Sequence, residues 1–285
     1  MYRLRSRWLP LALLSAGLCG SLNAVDGVVL ISQVQALAGN VTPGDAPGFP
    51  VTISLPGSYR LSGNLTVPDA NTIAIQIAAD NVTIDLNGFS IIGPVVCTFG
   101  PVPSCGGDGV GSGSGVVASV GDLYHNIKVA NGTVRGMGYY GIFLGNGGHV
   151  ENIHAESNGY GGIVAGYNGI TGGGVIGNDA SYNGSFGILA RSTVVSGNTA
   201  IGNGQDGIEA SDSTVSGNTA LGNAGNGITA SRSTVSGNAA NRNKQSGLNV
   251  NCPSTVIGNT AVSNVGANLV TSGLPACTVA NNTAP

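Results

Sequence analysis

The chain has 285 residues, 49 of them glycine, with 8% charged and 41% hydrophobic side chains. That apolar share is too high for a disordered chain, and that much glycine excludes a helix-rich one. The formal net charge is −3, and removal of residues 1–24 leaves seven basic against 13 acidic residues, which argues against a nucleic-acid partner.

Residues 1–24 read as a secretory signal peptide. Arg3, Arg5 and Arg7 precede the apolar run Leu11–Leu14, and Leu22-Asn23-Ala24 places the cleavage after Ala24. The run is too short to cross a bilayer, and no later segment is long enough for a membrane span. The expectation is an exported protein, periplasmic or secreted.

Residues 25–57 come next. Val28–Leu37 reads as a strand leading into a short helix, and Asn40–Pro50 as a Gly/Pro/Asp loop. A stack of coils exposes unpaired backbone at its first turn, so this segment is expected to be an N-terminal cap. Coils are expected from 58 to 283, with insertions at 94–114, rich in proline and glycine, and at 165–177.

The coils are legible because the sequence repeats every 20 residues. Gly-Asn recurs at Gly177-Asn178, Gly197-Asn198, Gly217-Asn218 and Gly237-Asn238, then slips by one to Gly258-Asn259. A second asparagine column runs Asn183, Asn203, Asn223, Asn243 and Asn264. A third column pairs glycine with an aliphatic residue: Gly187-Ile188, Gly207-Ile208, Gly227-Ile228 and Gly247-Leu248. Units of this length stack, each burying its apolar face on the next. The apolar residues alternate with polar ones over three to five positions, as in Thr234-Val235-Ser236, which is a strand pattern. One turn of a parallel β-helix fits, with about ten coils roughly 48 Å long at one strand spacing per coil. Ile188, Ile208, Ile228 and Leu248 are expected to form one inward ladder. The asparagines are expected in turns, bonded up and down the stack, and the glycines at positions where a positive φ is cheap.

Asn81–Gly93, Asn126–Gly136 and the Gly-Asn-Thr-Ala coils resemble the right-handed parallel β-helix repeat proteins of bacteria over roughly residues 58–283. The resemblance implies an all-β right-handed solenoid and is specific for fold, not for activity.

Four cysteines follow residue 24, an even number in a chain expected to be exported. Cys97 with Cys105 would bracket part of the first insertion. Cys252 with Cys277 would span about one coil and close the C-terminal end. No Cys-x-x-Cys spacing supports a metal site, and no cofactor is expected.

Candidate binding residues cluster. Tyr124, Tyr139, Tyr140, Tyr160, Tyr167 and Tyr182 lie in one stretch with His125, His149 and His154, and Arg135, Glu151 and Glu156 share it. Tyr139 and Tyr160 both stand two residues before a Gly-Ile pair and should stack on adjacent coils. Tyrosine faces suit sugar rings, so a polysaccharide or cell-surface glycan is the expected ligand, bound by Tyr139, Tyr140, Tyr160, Tyr167, Arg135, His149, Glu151 and His154. The competing reading packs these tyrosines beneath the insertions. A polysaccharide lyase, hydrolase or epimerase is the alternative function. Asp206, Glu209 and Asp212 lie close in sequence, and Asp212 should face Arg232 across coils as an exposed pair. The chain has Gly148-His149-Val150 and no Asp-Pro-His, so the motifs of polygalacturonases and alginate epimerases are not matched.

Overall fold

The computed structural model describes residues 27–98, 105, 110–118, 124–166 and 172–285. The segment read as a signal peptide lies outside them. Short parallel strands wind into a right-handed solenoid. Ten strands, one per coil, form a narrow sheet that runs from Val51–Ile53 to Leu269–Ser272. A broad sheet of 17 strands holds the other two strand rows. A regular coil contains Ile208–Ser211 in the narrow sheet, then Thr214–Ser216 and Thr219–Leu221 in the broad one. Ile127–Arg135 and His149–Glu156 are long enough to cross both rows of the broad sheet without a break.

Register explains the 20-residue period. Ile163, Ile188, Ile208, Ile228 and Leu248 pair in turn and are fully buried, so the inward ladder expected from the repeat is present, and it continues back through Ile142, Val116 and Ile75 to Val51. Val195, Val215, Val235 and Val256 form a second inward column, and Ala180, Ala200, Ala220 and Ala240 a third. The core is therefore a narrow rod of small aliphatics, which is why the composition is apolar yet poor in aromatic residues.

The asparagine columns occupy turns between strands and point inward. Asn178, Asn198, Asn218, Asn238, Asn259 and Asn282 form one ladder. The second runs from Asn158 through Asn183, Asn203, Asn223 and Asn243 to Asn264, and so begins one coil earlier than the sequence columns indicate. Each regular member ties three coils together. Asn218 donates to Asn238 Oδ1 and to the Val195 carbonyl, both at 2.9 Å. Its own Oδ1 accepts from the Asn198 backbone at 2.9 Å and from Asn198 Nδ2 at 3.0 Å.

The glycines divide into two kinds, which sequence alone did not separate. Gly197, Gly217 and Gly237, each preceding an asparagine, adopt φ of 62 to 64°, as expected of turn glycines. The glycines before Ile208 and Ile228 do not. They are required by close approach: a Cβ at Gly207 would stand 2.6 Å from Asn223 Nδ2 and 2.7 Å from the Gly227 carbonyl oxygen.

The N-terminal segment is the first coil as well as its cover. Val28–Ile31 pairs with Gly57–Leu61, and Val51–Ile53 with Ile75–Ile77. Between them the helical turn Gln33–Ala38, capped by the Ser32 hydroxyl, buries Ala36 on the open end. The second insertion is shorter than the sequence spacing indicates, because Gly173–Ile176 is already a strand of the broad sheet. Both expected disulfides are formed, Cys97–Cys105 and Cys252–Cys277.

Candidate functional site

Two successive turns carry Tyr139 and Tyr160 to the edge where the chain enters the narrow sheet. The Tyr160 N–H donates to the Tyr139 carbonyl at 2.9 Å, which fixes the two residues one coil apart. Their rings then stack, with centroids 4.9 Å apart and 19° between planes. Tyr140 packs against both, at 4.2 and 5.7 Å, and Phe186 meets Tyr160 edge-on at 5.6 Å. Phe186 has room because residue 161 is glycine: a Cβ there would lie 2.5 Å from the Phe186 ring. Phe143 and Val164, on the outer side of the narrow sheet, form a buried apolar cluster with Phe186, packed with Tyr140 and Leu189.

The first insertion lies beside this corner. Cys105 Sγ sits 3.5 Å from the Asn158 carbonyl oxygen, and Val110 packs so tightly on Gly159 that a Cβ there would be 2.2 Å from its methyl group. Tyr139 and Tyr160 each remain 39% exposed. Ser185 follows Tyr160 in the same turn column. It is buried, and its hydroxyl has no hydrogen-bond partner among the described residues.

The other candidate residues lie elsewhere or at the margin. Tyr167 is outside the described residues. Arg135 and Glu156 are register neighbours at the ends of the two long strands that lead into the tyrosine turns. His149, Glu151 and His154 point outward from the broad sheet. Glu151 pairs with Lys128, His154 Nδ1 is 3.9 Å from Asp179 Oδ2, and the His149 ring lies over Gly174. The ring contacts therefore unite Tyr139, Tyr140 and Tyr160 with Phe143 and Phe186, whereas the two histidines and Glu151 belong to a charged patch on the broad sheet.

Glu209 follows Leu189 in register and precedes Thr229, within a shallow cavity of about 170 Å³ that Arg191 also lines. Asp206, one turn position after Phe186, is held by the Asn226 N–H at 2.6 Å and the Thr229 hydroxyl at 2.5 Å. Burial pushes the Glu209 carboxyl above its ordinary range, the Asp206 charge pushes it further, and Arg191 pulls back. The three-residue spacing of Asp206 and Glu209 is legible in the sequence, whereas the partial burial of Glu209 beside Arg191 is not.

A raised carboxyl makes the native state favour the protonated form. Its contribution is fully present below the unfolded pKa and is lost as pH rises through the folded value. Glu209→Gln is therefore expected to raise the unfolding temperature near neutral pH and to leave it unchanged in acid. Thermal melts of the variant and parent at both pH values check this, and an equal shift at both would refer the effect to packing.

Among the described residues no group of three or more His, Cys, Asp or Glu is placed to hold a metal ion. No described helix is long and apolar enough to cross a membrane.

Comparison with known proteins follows the fold. No curated protein matches the sequence. The A-module of the mannuronan C-5 epimerase AlgE4 of Azotobacter vinelandii is similar in structure at 16% identity and a TM-score of 0.60, over 90% of this chain and 84% of that one. The Dettilon tailspike protein is similar at 16% identity and a TM-score of 0.53, over 86% of this chain and 50% of that one, so this chain spans half of the tailspike's length. A mutant of the periplasmic alginate epimerase AlgG gives 12% identity and 0.51, over 89% of this chain and 83% of that one. At such identities these likenesses establish the coil architecture alone. The sequence itself matches the family described as the right handed beta helix region over residues 114–284. The chain belongs to the right-handed β-helix family.

Proposed function

We propose that this is an exported β-helix that binds a polysaccharide or cell-surface glycan at the tyrosine corner. The observation that carries the reading is the stacked, half-exposed pair Tyr139 and Tyr160, seated on Tyr140 and Phe186. Rings held by packing lose little freedom on binding, and their faces suit the apolar side of a sugar while the hydroxyl tips reach its polar groups. Arg135 and Glu156, paired in register, end the strands that precede the two tyrosine turns. The two disulfides suit an oxidising compartment, and the alginate epimerases and the tailspike offer fold relatives, two of them named for a polysaccharide substrate.

The double substitution Tyr139→Ala/Tyr160→Ala tests it. Loss of two ring contacts should weaken glycan binding roughly tenfold or more with the solenoid intact. Isothermal titration against a glycan panel, with circular dichroism as the folding control, reads both. Unchanged affinity, or no binding of any acidic or neutral polysaccharide by the parent chain, removes the reading.

A second reading, an enzyme acting on the same polymer, is favoured by Glu209. Its carboxyl is raised above the ordinary range by burial and by the Asp206 charge, on the face that continues from Phe186. Release of reducing or unsaturated ends from a polysaccharide panel, abolished by Glu209→Gln, would support it. A chain that binds glycans and alters none of them is the non-catalytic scaffold.

A further inference from the structure

The two ends of the solenoid are finished differently. At the N-terminal end the helical turn Gln33–Ala38 lies over the first coil and buries Ala36 completely. The loop after it closes the edge of the first narrow-sheet strand. The Thr52 N–H donates to Asp45 Oδ1 at 2.7 Å, the Thr52 carbonyl accepts the Thr42 hydroxyl at 2.6 Å, and the Ser54 N–H donates to that hydroxyl at 3.0 Å. At the other end the coil of residues 262–285 has no such cover among the described residues, and none of its residues is buried. Each inward column changes there. Leu248, Val256 and Ala261 are fully buried. Their counterparts one coil on are Leu269, Val279 and Ala284. Leu269 and Ala284 are half-buried, and Val279 is 47% exposed. Val265 and Leu274, 80 and 89% exposed, add apolar surface on the same coil.

The backbone is open at the same face. Leu269–Ser272 pairs with Leu248–Asn251 and has no strand on its other side among the described residues. On earlier coils the residue at the Leu269 position donates its N–H to the next coil: Ile208 to Gly227 at 3.0 Å, Ile228 to Gly247 and Leu248 to Asn268 at 2.9 Å. The asparagine ladder stops likewise. Asn282 accepts from Asn259 at 2.8 Å and donates to the Val256 carbonyl at 2.9 Å, without the onward donation that Asn218 makes to Asn238. An uncovered strand edge recruits another edge unless charge, proline or a bulge guards it. Here no Asp, Glu, Lys, Arg or His follows Lys244, and neither Leu269–Ser272 nor Thr278–Ala280 holds a proline.

Charge and area select the occupant. A charged partner finds nothing to pair with on this face, whereas a second copy brings an equally neutral one, and interface centres are poor in charge. The coil offers about two dozen residues, within the roughly 20–30 a side of a stable interface. Head-to-tail stacking would bring the open edge against Thr52, whose N–H and carbonyl are already taken by Asp45 and Thr42. Tail to tail, the two open edges run antiparallel across a two-fold axis and satisfy each other, and the contact closes at two copies.

We propose that this face pairs with the same face of a second copy, in a two-fold dimer closed by antiparallel pairing of Leu269–Ser272 with its symmetry mate. The dimer does not depend on glycan binding. Sedimentation velocity of the chain purified after export, over about 1–100 µM, should show a mass twice that of one chain at the upper concentrations. Thr271 is exposed in the edge strand, so Thr271→Lys sets like charges near one another across the axis and should weaken association at least about tenfold, with circular dichroism unchanged. Thr271→Asp alone should do the same. Mixing the two variants should restore a dimer that holds one chain of each, which a folding defect would not do. Val34→Lys with Leu37→Lys, at exposed positions of the N-terminal helical turn, should leave association unchanged. A parent chain that stays monomeric throughout overturns the proposal. So does a dimer that survives Thr271→Lys, or a mixture of the two variants that stays monomeric. Growth beyond two copies that Val34→Lys with Leu37→Lys abolishes would be head-to-tail stacking and overturns it as well.

Discussion

Replacing Asn218 by leucine is expected to cost the solenoid at least about 4 kcal/mol, because several buried groups lose partners at once and each costs about 1–3 kcal/mol. The groups are specific. The Val195 carbonyl and Asn238 Oδ1 each lose a donor, and the backbone and side-chain N–H groups of Asn198 lose their acceptor. No water can replace them, since Asn198, Asn218 and Asn238 are each 1% exposed. Leucine keeps the branching of asparagine at Cγ but is larger, so overpacking at this buried site adds to the lost hydrogen bonds. Asn282, which closes the same ladder near the C-terminus and is partly exposed, should tolerate the same change at less than half the cost. Urea unfolding of the two variants measures the contrast. Equal and small losses would mean that the ladder follows the fold instead of holding it.

The second large effect separates the two kinds of glycine. Gly207→Ala is expected to destabilise by roughly 3–5 kcal/mol, combining overpacking with displacement of a buried amide from its ladder. The added methyl would overlap Asn223 Nδ2 and the Gly227 carbonyl, and neither can move without breaking a coil-to-coil bond. Gly197→Ala meets nothing within 4 Å and has only its φ of 64° against it. That backbone conformation costs a non-glycine residue about 1–2 kcal/mol. Ser192, Asp212 and Arg232 already bear the same kind of strain at their corners, with φ of 53, 52 and 48°. Thermal unfolding of the two alanine variants should therefore differ by roughly 5–10 °C if both fold. Equivalent losses would place the constraint at Gly207 in the backbone and not in the approach of Asn223.

Both effects bear on function through rigidity. The stacked tyrosines keep their spacing only because each coil is clamped to the next. Tyr139 and Tyr160 keep register through one backbone bond, and Asn158, fully buried between their turns, bonds to the Val134 carbonyl and to Asn183. A binding surface built from such turns gains precision from its scaffold and needs no closing motion.

The sequence by itself determined the coil. A 20-residue period with alternating Val, Ile and Ala fixes strand length, inward face and register, because a slip by one residue would turn every apolar side chain to water. For the same reason it placed the asparagine ladders, the Ile188–Leu248 column, the Tyr139–Tyr160 stack, the Asp212–Arg232 pair and both disulfides. Where the period fails, so does legibility: the end of the second insertion could not be read, nor could the strand role of Gly173–Ile176. Tertiary structure alone decided what surrounds each outward residue. Linear clustering put His149 and His154 with the tyrosines, but they leave the solenoid on the broad sheet, whereas Phe186, Asp206 and Glu209 share the face of Tyr140. It also decided why Gly207 is glycine. The physical reason is that a repeat specifies which residues stack along the axis, while the bend at each turn specifies which columns become neighbours around it.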